Sequence, residues 1–493
     1  MIDWKQRVSL LSFPKQAFIA GKFQDSASGQ TSDVISPIDG SVITQVSECA
    51  VDDVDRAVAQ ARDVFEAGTW SRSAPKERKA VLARFGDMLE ENASDLALLI
   101  GADMGKPVGD AEFEVGLAAA QFRYFGEAAD KVYGQVVPTA QTAYATVTRE
   151  PVGVVAAVVP WNYPVLMPTW KLAPALAAGN SVVLKPAEQS PLAALRLAEL
   201  AAEAGVPPGV LSVLPGAGNV VGRALGMHME VDKLAFTGST EVGKLFLRYS
   251  SESNMKSVQL ECGGKSPSLV LADAPDLSLV TAFTAEGIFG NAGQVCNANS
   301  RLIVHESRAD ELLENLRRAA ETWQPGNPFD PSSKMGPLVD AAQLSRVSAY
   351  VELAASEGAT VDTGGAQVLK DTGGWYFEPT IFTDVSPEMR VAQEEIFGPV
   401  LAVQTFHSEE EAVRIANGTP YGLAAGVWTR DLTTAHRLAR ALRAGSVYVN
   451  CYDLGDVSLP VGGYKQSGFG RDKSLHALDN YTQLKGTFIK LVD

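Results

Sequence analysis

The spacing of apolar residues changes character along this chain. Between residues 51 and 100, Val54, Val58, Ala61, Val64 and Phe65 recur near the helical period, and Lys79 to Ile100 continues amphipathically. That period predicts helices. From residue 151 onward, β-branched runs alternate with helical segments. Strands are expected at 152–159, 181–184, 211–213 and 233–236, and helices at 169–178 and 191–204. A second such run follows Gly263, with strands near 268–271, 302–304, 400–406 and 426–428 and helices at 310–323 and 341–357. The alternation predicts a doubly wound parallel sheet and a second α/β domain. Residues 131–149 break the pattern. There Val136, Tyr144, Thr146 and Thr148 fit short extended segments with no helix between them.

Length and charge narrow the picture. A chain of 493 residues exceeds one simple core, so two or three domains are expected. A net charge of −16 argues against a nucleic-acid backbone or an anionic membrane surface as partner. The four cysteines, Cys49, Cys262, Cys296 and Cys451, form no CxxC pair, which fits a reducing cytoplasm. Met1 to Arg7 leads into no apolar core with a small-residue cleavage site, so no cleaved leader is expected. Pro151 to Trp170 is uncharged and long enough to span a bilayer, but it holds Pro151, Pro160, Pro164 and Pro168. A helix so interrupted leaves backbone groups unpaired in lipid, so a buried strand running into a loop is the better reading.

Three segments carry chemistry. Gly293-Gln294-Val295-Cys296-Asn297 places a cysteine in a loop of small and polar residues. Leu260-Glu261-Cys262-Gly263-Gly264-Lys265 puts a carboxylate in a glycine-rich turn, and Pro160-Trp161-Asn162-Tyr163-Pro164 puts an amide at the end of an apolar strand. Thiol, carboxylate and amide are the nucleophile, base and oxyanion donor of thioester chemistry. Gly238-Ser239-Thr240-Glu241-Val242-Gly243-Lys244 nearly spells a P-loop, but Leu245 lacks the hydroxyl that would hold Mg²⁺. The histidines are scattered without metal-ligand spacing, so no catalytic metal is implied.

With Lys185-Pro186-Ala187-Glu188 and Glu395-Ile396-Phe397-Gly398-Pro399, these motifs make the chain resemble the NAD(P)-dependent aldehyde dehydrogenase superfamily over essentially its whole length. The resemblance implies the aldehyde dehydrogenase fold: a Rossmann-like cofactor domain (1–129 and 152–264), an α/β catalytic domain (265–464) and a small β oligomerisation element (130–151 and 480–493). In the family, the hairpin of that element pairs with the C-terminal tail of a partner subunit, so a homodimer or homotetramer is expected. It further implies Cys296 as nucleophile, Glu261 as base and Asn162 as oxyanion donor. NAD is the implied cofactor, with Trp161, Lys185, Glu188, Gly238, Ser239, Gly243, Glu395 and Phe397 around it. A carboxylate at Glu188 favours a free ribose diol and repels a 2′-phosphate, which selects NAD over NADP. Asp472 departs from the glutamate that many relatives carry, and this puts the proton route near the pocket in question.

The C-terminal segments, including Gly470-Arg471-Asp472-Lys473-Ser474-Leu475, look most like the subgroup that oxidises aminoaldehydes of polyamine breakdown, γ-glutamyl-γ-aminobutyraldehyde among them. Tyr163, Trp170, Val295, Asp453 and Val461 are the expected pocket residues, with the rings offering a face to a cationic tail. Asp110, Glu112, Glu114 and Asp453 are acidic candidates near the entrance. Gly290, Gly455 and Val461 stand where relatives often carry rings, so a wide pocket is expected. Such a pocket equally suits an aromatic aldehyde. A catalytically silent relative would require loss of the nucleophile or base, and both are present.

Overall fold

The computed structural model describes residues 7, 10–12 and 14–492. Residues 1–6, on which much of the leader expectation rests, and Asp493, the end of the expected tail, lie outside this set.

The first α/β unit is built on an eight-stranded sheet. Its parallel centre runs Leu211–Val213, Ser181–Lys185, Val154–Val158, Lys233–Gly238 and Ser257–Cys262. Strands 154–158, 181–185 and 211–213 are wholly buried, which explains their unbroken Val/Leu/Ala runs. Helix Leu166–Ala178 is also almost wholly buried, and helix Leu192–Ala204 mostly so. The order of strands reverses between 154–158 and 233–238. Ligand sites of open α/β sheets lie at the carboxyl ends of strands beside such a switch point. The segments leaving these two strands are Pro160-Trp161-Asn162 and the Ser239 turn.

The second unit is a seven-stranded sheet in the order Thr360–Thr363, Thr380–Thr383, Val400–Phe406, Arg301–His305, Pro267–Val270, Ala424–Trp428 and Ser446–Val449. All pairs are parallel except at the 360–363 edge. Register aligns Pro267 with Arg301 and Arg301 with Ala402. The chain segments just ahead of these three neighbouring strands contain Glu261–Ser266, Cys296–Ser300 and Glu395–Pro399. Parallel pairing therefore delivers three distant motifs to one end of the sheet, facing the switch point of the first.

A third, small sheet pairs Gln135–Val137, Ala143–Pro151 and Thr482–Lys490. Here an expectation is corrected. The tail strand pairs with residues 143–151 of its own chain, from Thr482 opposite Pro151 to Lys490 opposite Ala143. The cause is the preceding turn: the Tyr481 carbonyl accepts from Val152 N–H at 3.3 Å and from Asn180 Nδ2 at 3.0 Å. That anchor sets Thr482 down beside Pro151. Among the described residues no helix is long and apolar enough to cross a membrane.

Candidate active site

Cys296 follows a tightly wound turn, Gly290–Gly293, in which Asn291, Ala292 and Gly293 all have positive φ (51°, 54° and 69°). Glycine is required at 293, because a Cβ there would lie 2.0 Å from the Gly398 carbonyl oxygen. The Cys296 loop thus seats directly on the Glu395–Pro399 segment. Gln294, fully buried, stiffens the turn by donating to the Asn291 carbonyl at 3.0 Å and accepting from Val339 N–H at 2.9 Å.

Asn162 is 3% exposed and donates Nδ2 to the Gln294 carbonyl at 2.9 Å. Asn291 returns a bond to the Asn162 carbonyl at 3.2 Å. Sequence reasoning missed Asn291 and Gln294, which fasten the amide to the cysteine loop.

Glu261 lies near the end of strand 257–262 and is 5% exposed, with Oε1 lacking a hydrogen-bond partner. A Cβ on Gly462 would come within 2.8 Å of that oxygen. Beside it stands a fully buried ion pair, Lys171 with Asp472, and Gln259 donates to the second Asp472 oxygen at 2.9 Å. Burial holds the Glu261 carboxyl well above the usual carboxylate range; Asp472 pushes the same way, while Lys171 and Arg471 oppose. Lys171 was also missed, although a lysine inside an apolar helix is a legible signal. Asp472 meets an ammonium through its own carboxylate, so aspartate completes a buried pair at this position.

The Cys296 thiol is raised far above its ordinary value by burial, with Glu395, Glu261 and Asp453 adding like-charge repulsion. Attack by the sulfur therefore needs the thiol proton to be removed. Glu395 accepts from Gly264 N–H at 3.2 Å, and burial pushes its carboxyl up to about 7. With the Glu395 carboxyl so placed there is no room for a side chain at Gly263, where a Cβ would fall 1.9 Å from Oε2.

Most of the expected cofactor residues lie at the strand ends beside the switch point of the first sheet. Trp161 and Phe397 meet edge to face at 5.3 Å and 85°. Ser239 caps helix Thr240–Glu252, accepting from Val242 N–H at 3.2 Å, and so marks a helix N-terminus at the switch point. A Cβ on Gly243 would meet Cys262 Sγ at 3.0 Å, so this helix packs closely on its sheet, with Gly238 at the turn. Lys185, 2% exposed, donates to Glu188 at 3.1 Å, and Gly218 N–H donates to the other Glu188 oxygen at 2.5 Å.

On the opposite side, Asp453 accepts from Asn297 Nδ2 at 2.7 Å and from Tyr448 OH at 3.2 Å. It is reachable by solvent yet walled by protein, and this burial raises its carboxyl above the usual range. Tyr163 carries the Lys106 ammonium 3.5 Å from its ring centroid. Trp170 is partly buried and its Nε1 lacks a partner. Val295 packs on the second core, and Val461 bridges to Asp472. A Cβ on Gly290 would meet only Glu286, at 3.4 Å, and one on Gly455 only Lys473 Nζ, at 3.9 Å. Both positions border open space. One entrance expectation is corrected. Glu114 is 1% exposed and paired with Lys106, because it points under the start of helix 166–178. Glu112 accepts from Ser94 at 2.9 Å on a neighbouring helix. Asp110 remains exposed. Among the described residues no cluster of His, Cys, Asp or Glu could hold a metal ion.

The strand ends of the two sheets bring thiol, amide and carboxylate together, the groups of acyl chemistry through a thioester. The chain belongs to the aldehyde dehydrogenase family, whose sequence profile matches residues 23–487. It is 49% identical over 489 residues to the NADP/NAD-dependent aldehyde dehydrogenase PuuC of Escherichia coli, covering 99% of this chain and 98% of that protein. Its fold is similar, at a TM-score of 0.98, to that of the γ-glutamyl-γ-aminobutyraldehyde dehydrogenase of Burkholderia cenocepacia (53% identity, 99% of each chain). An equal TM-score of 0.98 relates it to the indole-3-acetaldehyde dehydrogenase AldA of P. syringae, solved with NAD⁺ and IAA (54% identity, 99% of each chain).

Proposed function

We propose that this aldehyde dehydrogenase uses NAD and acts on an aminoaldehyde of polyamine breakdown, γ-glutamyl-γ-aminobutyraldehyde above all. The convergence of Cys296, Asn162 and Glu261 carries the reaction. Cys296, which is only partly buried, gives its proton to solvent water and the sulfur attacks the aldehyde carbon. A C–S bond forms, and the carbonyl pair moves to oxygen, where the free Asn162 N–H receives it. Such a donor contributes about 10²–10³ in kcat. Bound NAD supplies the hydride acceptor for the oxidation. The Cys296 thioester is then opened by a water whose proton Glu261 takes; the C–S bond breaks and a carboxylic acid leaves.

Lys185 and Glu188 would hold the adenosine ribose, Ser239 and the helix turn between Gly238 and Gly243 the pyrophosphate, and Glu395, Phe397 and Trp161 the nicotinamide end. The residues fit: a half-exposed carboxylate at one end, an N-terminal helix dipole in the middle and aromatic edges near the thiol. The first unit thus serves as cofactor domain and the second as catalytic domain.

The γ-glutamyl reading rests on the recess rim. Asp453 and Asp110 supply negative charge and Lys473 positive charge, which suits a head group bearing both an ammonium and a carboxylate. The Lys106 ammonium on the Tyr163 ring weakens that ring's pull on a bare cation close to the aldehyde. An aromatic aldehyde is the second reading, favoured by the open space at Gly290 and Gly455 and by the likeness to AldA. NADH release over γ-glutamylated, ω-amino, ω-guanidino and aromatic aldehydes decides between them. If aromatic aldehydes lead in kcat/KM, the polyamine reading falls.

Self-association follows from the small sheet, whose residues Val136, Tyr144, Leu484 and Phe488 are exposed apolar groups without cover. A homodimer or homotetramer in the cytoplasm is the expected form, and light scattering measures it.

A further inference from the structure

We infer that the buried Lys106–Glu114 ion pair is a positioning device for the Asn162 amide. The inference rests on Asn162 being the oxyanion donor. Lys106 lies in the turn between helices Ala93–Asp103 and Val108–Ala128, and Glu114 lies on the second of these. Both side chains are 1% exposed and bonded to each other. One Glu114 oxygen takes the ammonium. The other accepts from both Val165 N–H at 2.8 Å and Leu166 N–H at 3.0 Å. These amides open helix 166–178, whose N-terminus has no side-chain cap of its own. The ammonium in turn sits 3.5 Å from the Tyr163 ring centroid.

One ion pair therefore grips residue 163 by its ring and residues 165 and 166 by their backbone. Asn162 is the next residue along, and its far side is fixed by Asn291 and Gln294. The amide is clamped between the two supports. A buried ion pair is a poor source of stability, since apolar replacements are often as stable. What it supplies here is direction: a fixed carboxylate aimed at two adjacent N–H groups. Neither side chain takes part in the Asn162 or Cys296 hydrogen bonds, so both act through the loop. Asp103, whose burial keeps its carboxyl far above the usual range, and Asp110 are the other acids facing the pair.

The test is a double-mutant cycle on the NAD-loaded full chain, read as the single-turnover rate of NADH formation per active site. Lys106→Met should lower that rate about 10–100-fold, the usual effect of misplacing a catalytic group, with KM for NAD unchanged. In an Asn162→Ala background the same substitution should have almost no effect. A purely structural role would lower melting temperature and the active fraction while leaving the rate per site intact, and would act equally in both backgrounds; either result overturns the proposal. If Lys106→Met fails to fold, the double variant Lys106→Met/Glu114→Met, which leaves no unpaired buried charge and removes the acceptor of the two N–H groups, is read the same way. An Asn162→Ala enzyme with an unchanged single-turnover rate would instead refute the oxyanion reading itself.

Discussion

Asn162 donates to the Gln294 carbonyl at 2.9 Å, two residues ahead of Cys296. This bond joins the loop at the switch point of the first sheet to the Cys296 loop of the second. The candidate site is thereby drawn from both α/β units, which Gln189 also joins through Asp340 at 3.0 Å.

Cys296→Ala should abolish turnover while NAD affinity, read by calorimetry, is retained. Cys262→Ala and Cys451→Ala should remain active. Cys262 is buried against the Gly243 helix, and burial pushes its thiol up to about 12. Activity surviving in Cys296→Ala would overturn the nucleophile assignment.

Glu261→Gln should still form the thioester but hydrolyse it slowly. Rapid mixing then shows one NADH per active site followed by turnover slowed about 10²–10⁴-fold. Unimpaired steady-state turnover would remove Glu261 from the base role.

A base must be ionised to act, so kcat should rise with pH through a value above the ordinary carboxylate range, as burial of Glu261 dictates. Lys171 favours the ionised form. Removing its charge in Lys171→Met raises the Glu261 value and moves the ascending limb to higher pH. The same variant leaves Asp472 buried and unpaired, at a cost of about 3–5 kcal/mol, so its melting temperature should fall. A limb that stays in place in Lys171→Met would show that another group controls it.

Glu188→Ser should relax a preference for NAD over NADP, since the carboxylate both accepts from a free diol and repels a 2′-phosphate. The half-exposed side chain, held by Lys185 and Gly218 N–H, is a weak contributor to the core. Relative kcat/KM for the two cofactors reads the effect, and a wild type that prefers NADP contradicts it.

Gly290→Trp should narrow the recess without straining the backbone, because φ at this position is −52°. A γ-glutamylated aldehyde should lose at least about tenfold in kcat/KM, roughly 1.4 kcal/mol, and a two-carbon aldehyde much less. Equal losses for both would mean that position 290 does not border the substrate.

The limits of local reading show in particular residues. Strand Val400–Phe406 has the bounds its apolar run predicts, whereas helix 166–178 begins earlier than expected and contains Pro174. There burial on every side overrides the intrinsic penalty of proline. Glu114 looked like an entrance acid because acidic residues are usually solvated. Only the neighbouring Lys106 and two uncapped amides make its burial tenable. The tail was expected to reach a partner, but the Tyr481 anchor turns it onto its own hairpin.

Periodicity and chemistry are local properties, so the amino-acid order alone determined the α/β alternation and the motifs bearing Cys296, Glu261 and Asn162. A buried parallel strand must be apolar on both faces, and a nucleophile loop wound through positive φ must place glycine where a Cβ would strike a carbonyl. Tertiary structure alone decided the partnerships: Lys171 with Asp472, 301 positions apart, and Asn162 with Gln294, 132 apart. Those distances close only through sheet order and helix packing. A buried charge or amide is satisfied by whatever group the fold brings beside it, and no period in the chain encodes which group that is.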